Sequence, residues 1–115
     1  GSLKGQKVAV LGASYRGGVK ETAFSGVFET VDALRREGAD VVVEDPMYED
    51  EELAAFGWDP YHVGEDVDVV IVQADHKSYA DLSPRDFPGI KLLFDGRRIT
   101  NPDNWVGTPR LVIGE

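Results

Sequence analysis

Residues 7–18 read KVAVLGASYRGG, and this stretch constrains the fold more than any other. Val8, Ala9, Val10 and Leu11 form an unbroken apolar run that ends at Gly12. A strand with one wet face alternates apolar and polar residues. A continuous run closed by glycine suits a strand covered on both faces, as in a parallel sheet. The following residues are small, polar or basic: Ala13, Ser14, Tyr15, Arg16, Gly17 and Gly18. The carboxyl end of a parallel strand is where open α/β sheets receive ligands. Two readings of this loop stand side by side, a ligand cradle and a tight strand-to-helix turn.

Ser25 is placed to cap a helix from about Gly26 to Glu37. On it Phe24, Phe28, Val31 and Leu34, with Val27 beside them, recur at helical spacing. Gly38 is a helix stop, and Asp40 to Glu44, with three valines, is the second strand. Strand, loop, helix and strand fit a βαβ unit. After Asp45-Pro46 an acidic run, Glu49 to Glu52, opens a short helix ending at Gly57, and Trp58 to Gly64 reads as irregular. Val67 to Val72 is the third strand, Tyr79 to Leu82 a helical turn, and Ser83-Pro84 the start of a short helix reaching Phe87. Lys91 to Phe94 is the fourth strand, Asn101 to Asn104 is turn-rich, and Arg110 to Ile113 is a short last strand. The first strand is expected at the centre, with the second on one side and the third on the other. Loops 12–18, 73–78 and 95–98 then gather at one edge.

A chain of 115 residues makes one domain, burying roughly two thirds of the surface its unfolded form exposes. It has no cysteine, which excludes disulfides, thiolate metal sites and a cysteine nucleophile, and its two histidines, His62 and His76, are too few for a histidine-rich metal site. No apolar run approaches the ~20 residues of a membrane helix, and no signal-peptide pattern opens the sequence. A net charge of −9 argues against nucleic acid as the main partner and fits a cytoplasmic protein. Gly1-Ser2 has the form of a cloning remnant, so a domain cut from a longer protein is expected. Against the acidic background, Arg16 and the pair Arg97-Arg98 stand out.

The first loop matches neither common phosphate fingerprint. A dinucleotide motif needs glycine where Ser14 stands, and the P-loop needs Lys and Ser or Thr where Gly18-Val19 follow. Glu44-Asp45 sits where a ribose-binding acid would lie, and Asp45-Pro46 is equally a good turn. Asp75-His76 is either an acid–base pair or a structural pair that caps a helix or holds a neighbouring loop. Arg97-Arg98, on a turn hinged by Gly96, can grip a phosphate bidentately, or one arginine can pair with Asp95 while the other is solvated.

Taken together, KVAVLGASYRGGVKET (7–22), REGADVVVEDP (36–46), ADHKSY (74–79) and FDGRR (94–98) resemble the carboxyl-terminal UDP-binding domain of the UDP-glucose/GDP-mannose dehydrogenases. The UDP-N-acetylmannosamine type is nearest, on Ala74-Asp75-His76. The resemblance implies an α/β, Rossmann-like open sheet of about five mostly parallel strands with helices on both faces, over residues 3–115. It implies a full-length enzyme of polysaccharide biosynthesis that oxidises a nucleotide sugar at C6 to the uronic acid with NAD. The NAD site and catalytic cysteine would lie in an amino-terminal domain, so this chain alone is inactive. It further implies a homo-oligomer, UDP-sugar as ligand and the amino-terminal dehydrogenase domains as partner. Tyr15-Arg16 occupy the family's aromatic-lysine positions near the diphosphate. Arg97, with Arg98 beside it, occupies the position where an arginine meets the nucleotide sugar. The family's Arg-Glu-Ser-Pro, whose arginine helps with NAD, is here Ala23-Phe24-Ser25-Gly26. The rival reading is a stand-alone, non-catalytic nucleotide-binding or interaction module of the same fold.

Overall fold

The computed structural model describes residues 2–14, 17–18, 20–22 and 26–112. Six strands form one parallel sheet: β1 (Lys7–Leu11), β2 (Asp40–Glu44), β3 (Asp59–Pro60), β4 (Val69–Val72), β5 (Leu92–Asp95) and β6 (Arg110–Val112), in the order β3-β2-β1-β4-β5-β6. The apolar run Val8 to Leu11 is the central strand, and each of its residues is buried. The chain leaves β1 through α1 (Val27–Arg36), pairs β2 on one side and β3 beyond it, and then crosses back to lay β4 on the other side. The strand order therefore reverses between β1 and β4, and that reversal opens a crevice at their carboxyl ends.

The sixth strand lies inside the stretch expected to be irregular. β3 is two residues long and includes Pro60, paired beside Val43. Proline cannot donate to a ladder, so it is confined to an edge such as this, and two residues leave no periodicity to read. The third strand starts at Val69 rather than Val67, because Val67 turns its N–H to Pro88 O at 3.0 Å instead of joining the ladder.

The two faces are covered differently. On one, Val27 and Val31 of α1 and Leu53 of α2 (Asp50–Ala55) pack with Val10, Val41, Val43 and Trp58. On the other, 3₁₀ turns at Lys77–Asp81, Pro84–Asp86 and Pro102–Trp105 bring Tyr79, Phe87 and Trp105 over Ala9, Leu11, Val70, Val72 and Leu93. Phe87 stacks between Tyr61 and Trp105, with ring centroids 6.4 and 6.1 Å away. Each buried aromatic or aliphatic side chain here contributes ~1.5–3 kcal/mol. The expected helices on both faces are thus α-helices on one and short 3₁₀ helices on the other.

Local signals account for the ends of these elements. Glu49 and Glu52 form a reciprocal capping box at the start of α2, and Ser83 and Asp86 form one around Pro84. Gly26 is the N-cap of α1 and has no side chain to offer; the expected cap Ser25 and the stripe residue Phe24 lie outside the described residues. Phe28 turns to the rim, 38% exposed, against Phe56 and Trp58, so the core stripe is Val27, Val31 and Leu34. No described helix is long and apolar enough to cross a membrane.

Candidate functional site

The carboxyl ends of β1, β2, β4 and β5 share one edge of the sheet, and Asp45, just past β2, ties three of them together. Its side chain is buried. Oδ2 accepts the Ala13 N–H at 2.7 Å, the Ser14 N–H at 3.2 Å and His76 Nε2 at 2.8 Å. Oδ1 accepts the Met47 N–H at 2.8 Å, the local bond of an Asx turn. Of the two readings of Glu44-Asp45, the structure supports the turn: both Asp45 oxygens accept hydrogen bonds from within the protein.

His76 is also buried, 3% exposed. Its Nδ1 accepts the Gly18 N–H at 3.0 Å, so that nitrogen carries no proton and Nε2–H is the donor to Asp45. Both ring nitrogens hold loops, and the structural reading of Asp75-His76 prevails over the acid–base one. Tyr79 stands edge-on to His76 and gives its hydroxyl proton to Glu44 Oε1 at 2.7 Å. Burial pushes the Glu44 carboxyl up to about 6. It raises the Tyr79 phenol too, with the charge of Glu44 adding to the effect.

Asp75 joins two loops that are far apart in sequence. Oδ1 accepts the Gly17 N–H at 2.5 Å, and Oδ2 pairs with Arg97 Nη2 at 3.2 Å. The Gly17 bond, helped by Arg97, holds this carboxyl below the usual carboxylate range against a smaller opposing effect of burial. Arg97 Nη1 also donates to Gln73 O at 3.3 Å. The glycines permit this approach. At Gly12, with φ +110°, a Cβ would lie 2.5 Å from Ala74 Cβ and 2.6 Å from Ala74 N. At Gly17 a Cβ would overlap the Asp75 carbonyl.

The third loop is held from below by Asp95, which is fully buried. Its Oδ1 accepts the Arg97 N–H at 2.9 Å, and its Oδ2 accepts the Thr100 N–H at 2.8 Å and hydroxyl at 2.5 Å. Burial alone would raise the Asp95 carboxyl; the Thr100 and Arg97 bonds outweigh it and hold the group below its usual value. Between those anchors Arg98 is exposed and adopts φ +55°, the single positive-φ non-glycine among the described residues. A β-carbon in that region costs ~1–2 kcal/mol, and such strain gathers at ligand-binding turns.

Arg97 and Arg98 are therefore differently placed. Arg97 is half-buried and bound to the β4 loop, and Arg98 points outward from a strained turn. Tyr15 and Arg16 lie outside the described residues, but Gly17, which follows them, is one carboxylate away from Arg97. A cavity of about 630 Å³ opens between Gly17-Gly18, Pro46-Met47 and residues 75–78. A second, of about 430 Å³, lies between Thr30 of α1, Phe94 and Arg97. Among the described residues no cluster of three or more His, Cys, Asp or Glu could hold a metal ion. Sequence reasoning allowed Asp75-His76 to hold a neighbouring loop without naming which one, and it missed Thr100 as the partner of Asp95. Thr100 carries a faint signal, five residues beyond an acid in a turn-rich stretch. The identity of the Asp75 partner has none, because Gly17 lies 58 positions away.

Comparison with known proteins agrees with this architecture. The sequence model of the UDP-glucose/GDP-mannose dehydrogenase family, UDP binding domain, matches residues 9–102. A search of curated proteins finds no match. Among solved structures, a derivative structure of the UDP-N-acetyl-mannosamine dehydrogenase Cap5O from Staphylococcus aureus superposes with a TM-score of 0.76 at 23% identity, over 96% of this chain and 26% of that one. The UDP-D-ManNAc dehydrogenase from Pyrococcus horikoshii does so with a TM-score of 0.73 at 23% identity, over 98% of this chain and 26% of that one. At that identity the superpositions establish the fold, and the chain spans about a quarter of the length of these relatives. The match over residues 9–102 goes further: the chain belongs to the UDP-glucose/GDP-mannose dehydrogenase family, as its UDP binding domain.

Proposed function

We propose that this chain is the carboxyl-terminal domain of a longer NAD-dependent nucleotide-sugar 6-dehydrogenase, of the UDP-N-acetylmannosamine type, and that it holds the diphosphate of a UDP-sugar. Arg97 and Arg98 form one jaw of the site; Tyr15 and Arg16 form the other. The observation that carries this reading is the Asp75 carboxylate, which bonds Gly17 on one side and Arg97 on the other. It brings the two basic loops to one crevice at the strand-order reversal, in a chain of net charge −9. A diphosphate there competes with Asp75 for the Arg97 guanidinium, and two-point contact suits a planar fork. The whole protein would be a cytoplasmic homo-oligomer serving polysaccharide biosynthesis.

The first loop and the end of β2 do not match a dinucleotide site. Ser14 stands at the second glycine of the dinucleotide fingerprint, and Asp45 is spent on Ala13, Ser14, Met47 and His76. NAD is therefore assigned mainly to the rest of the protein, together with the catalytic cysteine. Ala23, where the family carries an arginine, favours a second reading in which the domain binds nucleotide without catalysis. A native gene that encodes an amino-terminal G-x-G-x-x-G and a downstream cysteine excludes that reading.

UDP titration followed by amide NMR tests the site. Shifts are expected in residues 12–18 and 94–98, with Arg97→Ala weakening UDP by ~10–100-fold and the exposed helix control Arg36→Ala within about twofold. Equal effects of the two variants, or no shifts with UDP, would sink the assignment.

A further inference from the structure

Asp75 and His76 are neighbours on the β4 loop, and they hold neighbours on the glycine-rich loop. The Gly17 N–H goes to Asp75 Oδ1, and the Gly18 N–H goes to His76 Nδ1 at 3.0 Å. The two arms of this lock differ in chemistry. Asp75 is a carboxylate held below its usual range, so it accepts through neutral and mildly acid conditions. His76 Nδ1 accepts only while the imidazole is neutral, because its single lone pair is also the site of protonation. The other ring nitrogen is committed, since Nε2–H donates to Asp45 at 2.8 Å. Asp45 thereby fixes the tautomer, and the lone pair that remains faces Gly18.

Protonation replaces that lone pair with an N–H that meets the Gly18 N–H head-on. Two arrangements then compete. A neutral ring keeps the Gly18 bond. A charged ring gives it up and gains the attraction of nearby carboxylates. Among the described residues, those carboxylates come from Asp45 at the end of β2, Glu44 of β2 through the Tyr79 hydroxyl, and Asp75 beside the ring on the β4 loop. Tyr79, from the 3₁₀ turn at Lys77–Asp81, stands edge-on and brings no charge. Lys77, next in sequence, carries the opposite charge on an exposed side chain. Burial of the ring opposes its charged form. Arg16 stands two residues before Gly18, so the Gly18 bond holds the loop that carries Tyr15 and Arg16. We propose that His76 is a positioning residue for the diphosphate site: its neutral ring docks the glycine-rich loop on the β4 loop, and protonation at Nδ1 undocks that loop and weakens UDP. This rests on reading the two loops as a UDP site, and it makes one buried histidine the control on how the site is set.

The experiment titrates the 115-residue chain from about pH 8 to about pH 5, the range in which histidine changes charge. Ring-nitrogen and amide NMR spectra follow His76 and Gly18 together without ligand. The Gly18 amide should move with protonation of the ring, and the Gly17 amide far less. UDP affinity should fall over this range by ~5-fold more in the wild type than in His76→Asn, the worth of one ordinary hydrogen bond. The asparagine carbonyl reaches the place of Nδ1 and accepts from Gly18 but takes up no proton. The difference between the two proteins removes the ionisation of the UDP terminal phosphate, which falls in the same range. His76→Gln reaches the place of Nε2 instead, so it keeps Asp45 and loses Gly18. Its UDP affinity should lie ~5-fold below that of His76→Asn at about pH 8. Glu44, whose carboxyl is raised to about 6, takes up a proton in the same window, and the acid loss of affinity should persist in Glu44→Gln. The wild-type spectra decide the matter even where a variant folds poorly. A ring still neutral at about pH 5, a Gly18 amide unmoved by its protonation, or equal UDP affinity in the two His76 variants overturns the proposal. Coupled titration of His76 and Gly18 with no UDP binding at any pH keeps the lock and removes the ligand assignment. UDP binding with the same pH profile in the wild type and His76→Asn does the reverse.

Discussion

Asp45 and Asp95 are both buried aspartates at the carboxyl ends of parallel strands, and both spend their oxygens on loop donors. They differ in reach. The hydrogen bonds of Asp95 serve its own turn, with partners two to five residues away, and its one longer reach is an ion pair with Arg110 of β6 at 3.9 Å. Asp45 serves its own turn through Met47 and two other loops through Ala13, Ser14 and His76, 31 or 32 residues away. The first is a local clamp under Arg97 and Arg98, backed by Arg110 of the neighbouring strand. The second is a cross-strand pin that ties both the glycine-rich loop and the β4 loop to the end of β2. Similar chemistry therefore gives a local effect in one place and a collective one in the other.

The comparison breaks most clearly at Asp45→Ala. Three N–H groups and the His76 Nε2–H lose their acceptor, and at ~1–3 kcal/mol for each buried orphan, partly relieved by water, the loss of stability should be about 4 kcal/mol. Urea denaturation measures it, and amide shifts should spread to residues 13, 14 and 18. Asp95→Asn should cost less, ~1–2 kcal/mol, with shifts limited to residues 96–100 and the adjoining Arg110. Because the Asp95 carboxyl lies below its usual 3.8 in the folded state, its stabilisation is complete above that value and is lost as pH falls through the lowered one. The wild-type advantage over Asp95→Asn should shrink in that acid range. If the Asp45 and Asp95 variants disturb equally wide regions, the distinction between pin and clamp is wrong.

Glu44, next to the pin, has the opposite sign. Its carboxyl is raised from 4.5 to about 6 by burial, so the folded state binds the proton more tightly and stability falls as pH rises from 4.5 to 6. Glu44→Gln keeps an acceptor for Tyr79 and should gain ~1–2 kcal/mol at pH 8 and nothing at pH 4, since each tenfold change in proton affinity is worth about 1.4 kcal/mol. Urea midpoints at the two pH values check it. The smallest effect belongs to the clamp. Arg98→Gly relieves a left-handed residue and should stabilise by about 0.5–1 kcal/mol while weakening UDP. Thermal melts and UDP titration read the two halves of that expectation.

Much of the scaffold was legible in local residue order. The run Val8 to Leu11, the βαβ unit through Glu44 and the Ser83-Pro84 start all sit where their patterns indicate. What local order hides is short or distant. β3 has two residues and no period, and the α1 stripe loses Phe28 to the rim because α2 and Trp58 offer it an aromatic surface there. At the site, Arg97-Arg98 was visible as a basic pair, yet the division between a half-buried Arg97 and an exposed, strained Arg98 depends on Asp75 and Asp95.

The order of apolar and polar residues along the chain is enough to choose a parallel α/β sheet, its central strand and the edge where loops collect. Those choices rest on periodicity, caps and glycines, which act within a few residues. The wiring of that edge is another matter. Asp75 between Gly17 and Arg97, and Asp45 between Ala13 and His76, join residues tens of positions apart. Which partner each carboxylate meets depends on which strands become neighbours, and that is settled when the sheet packs and buried N–H groups must find acceptors.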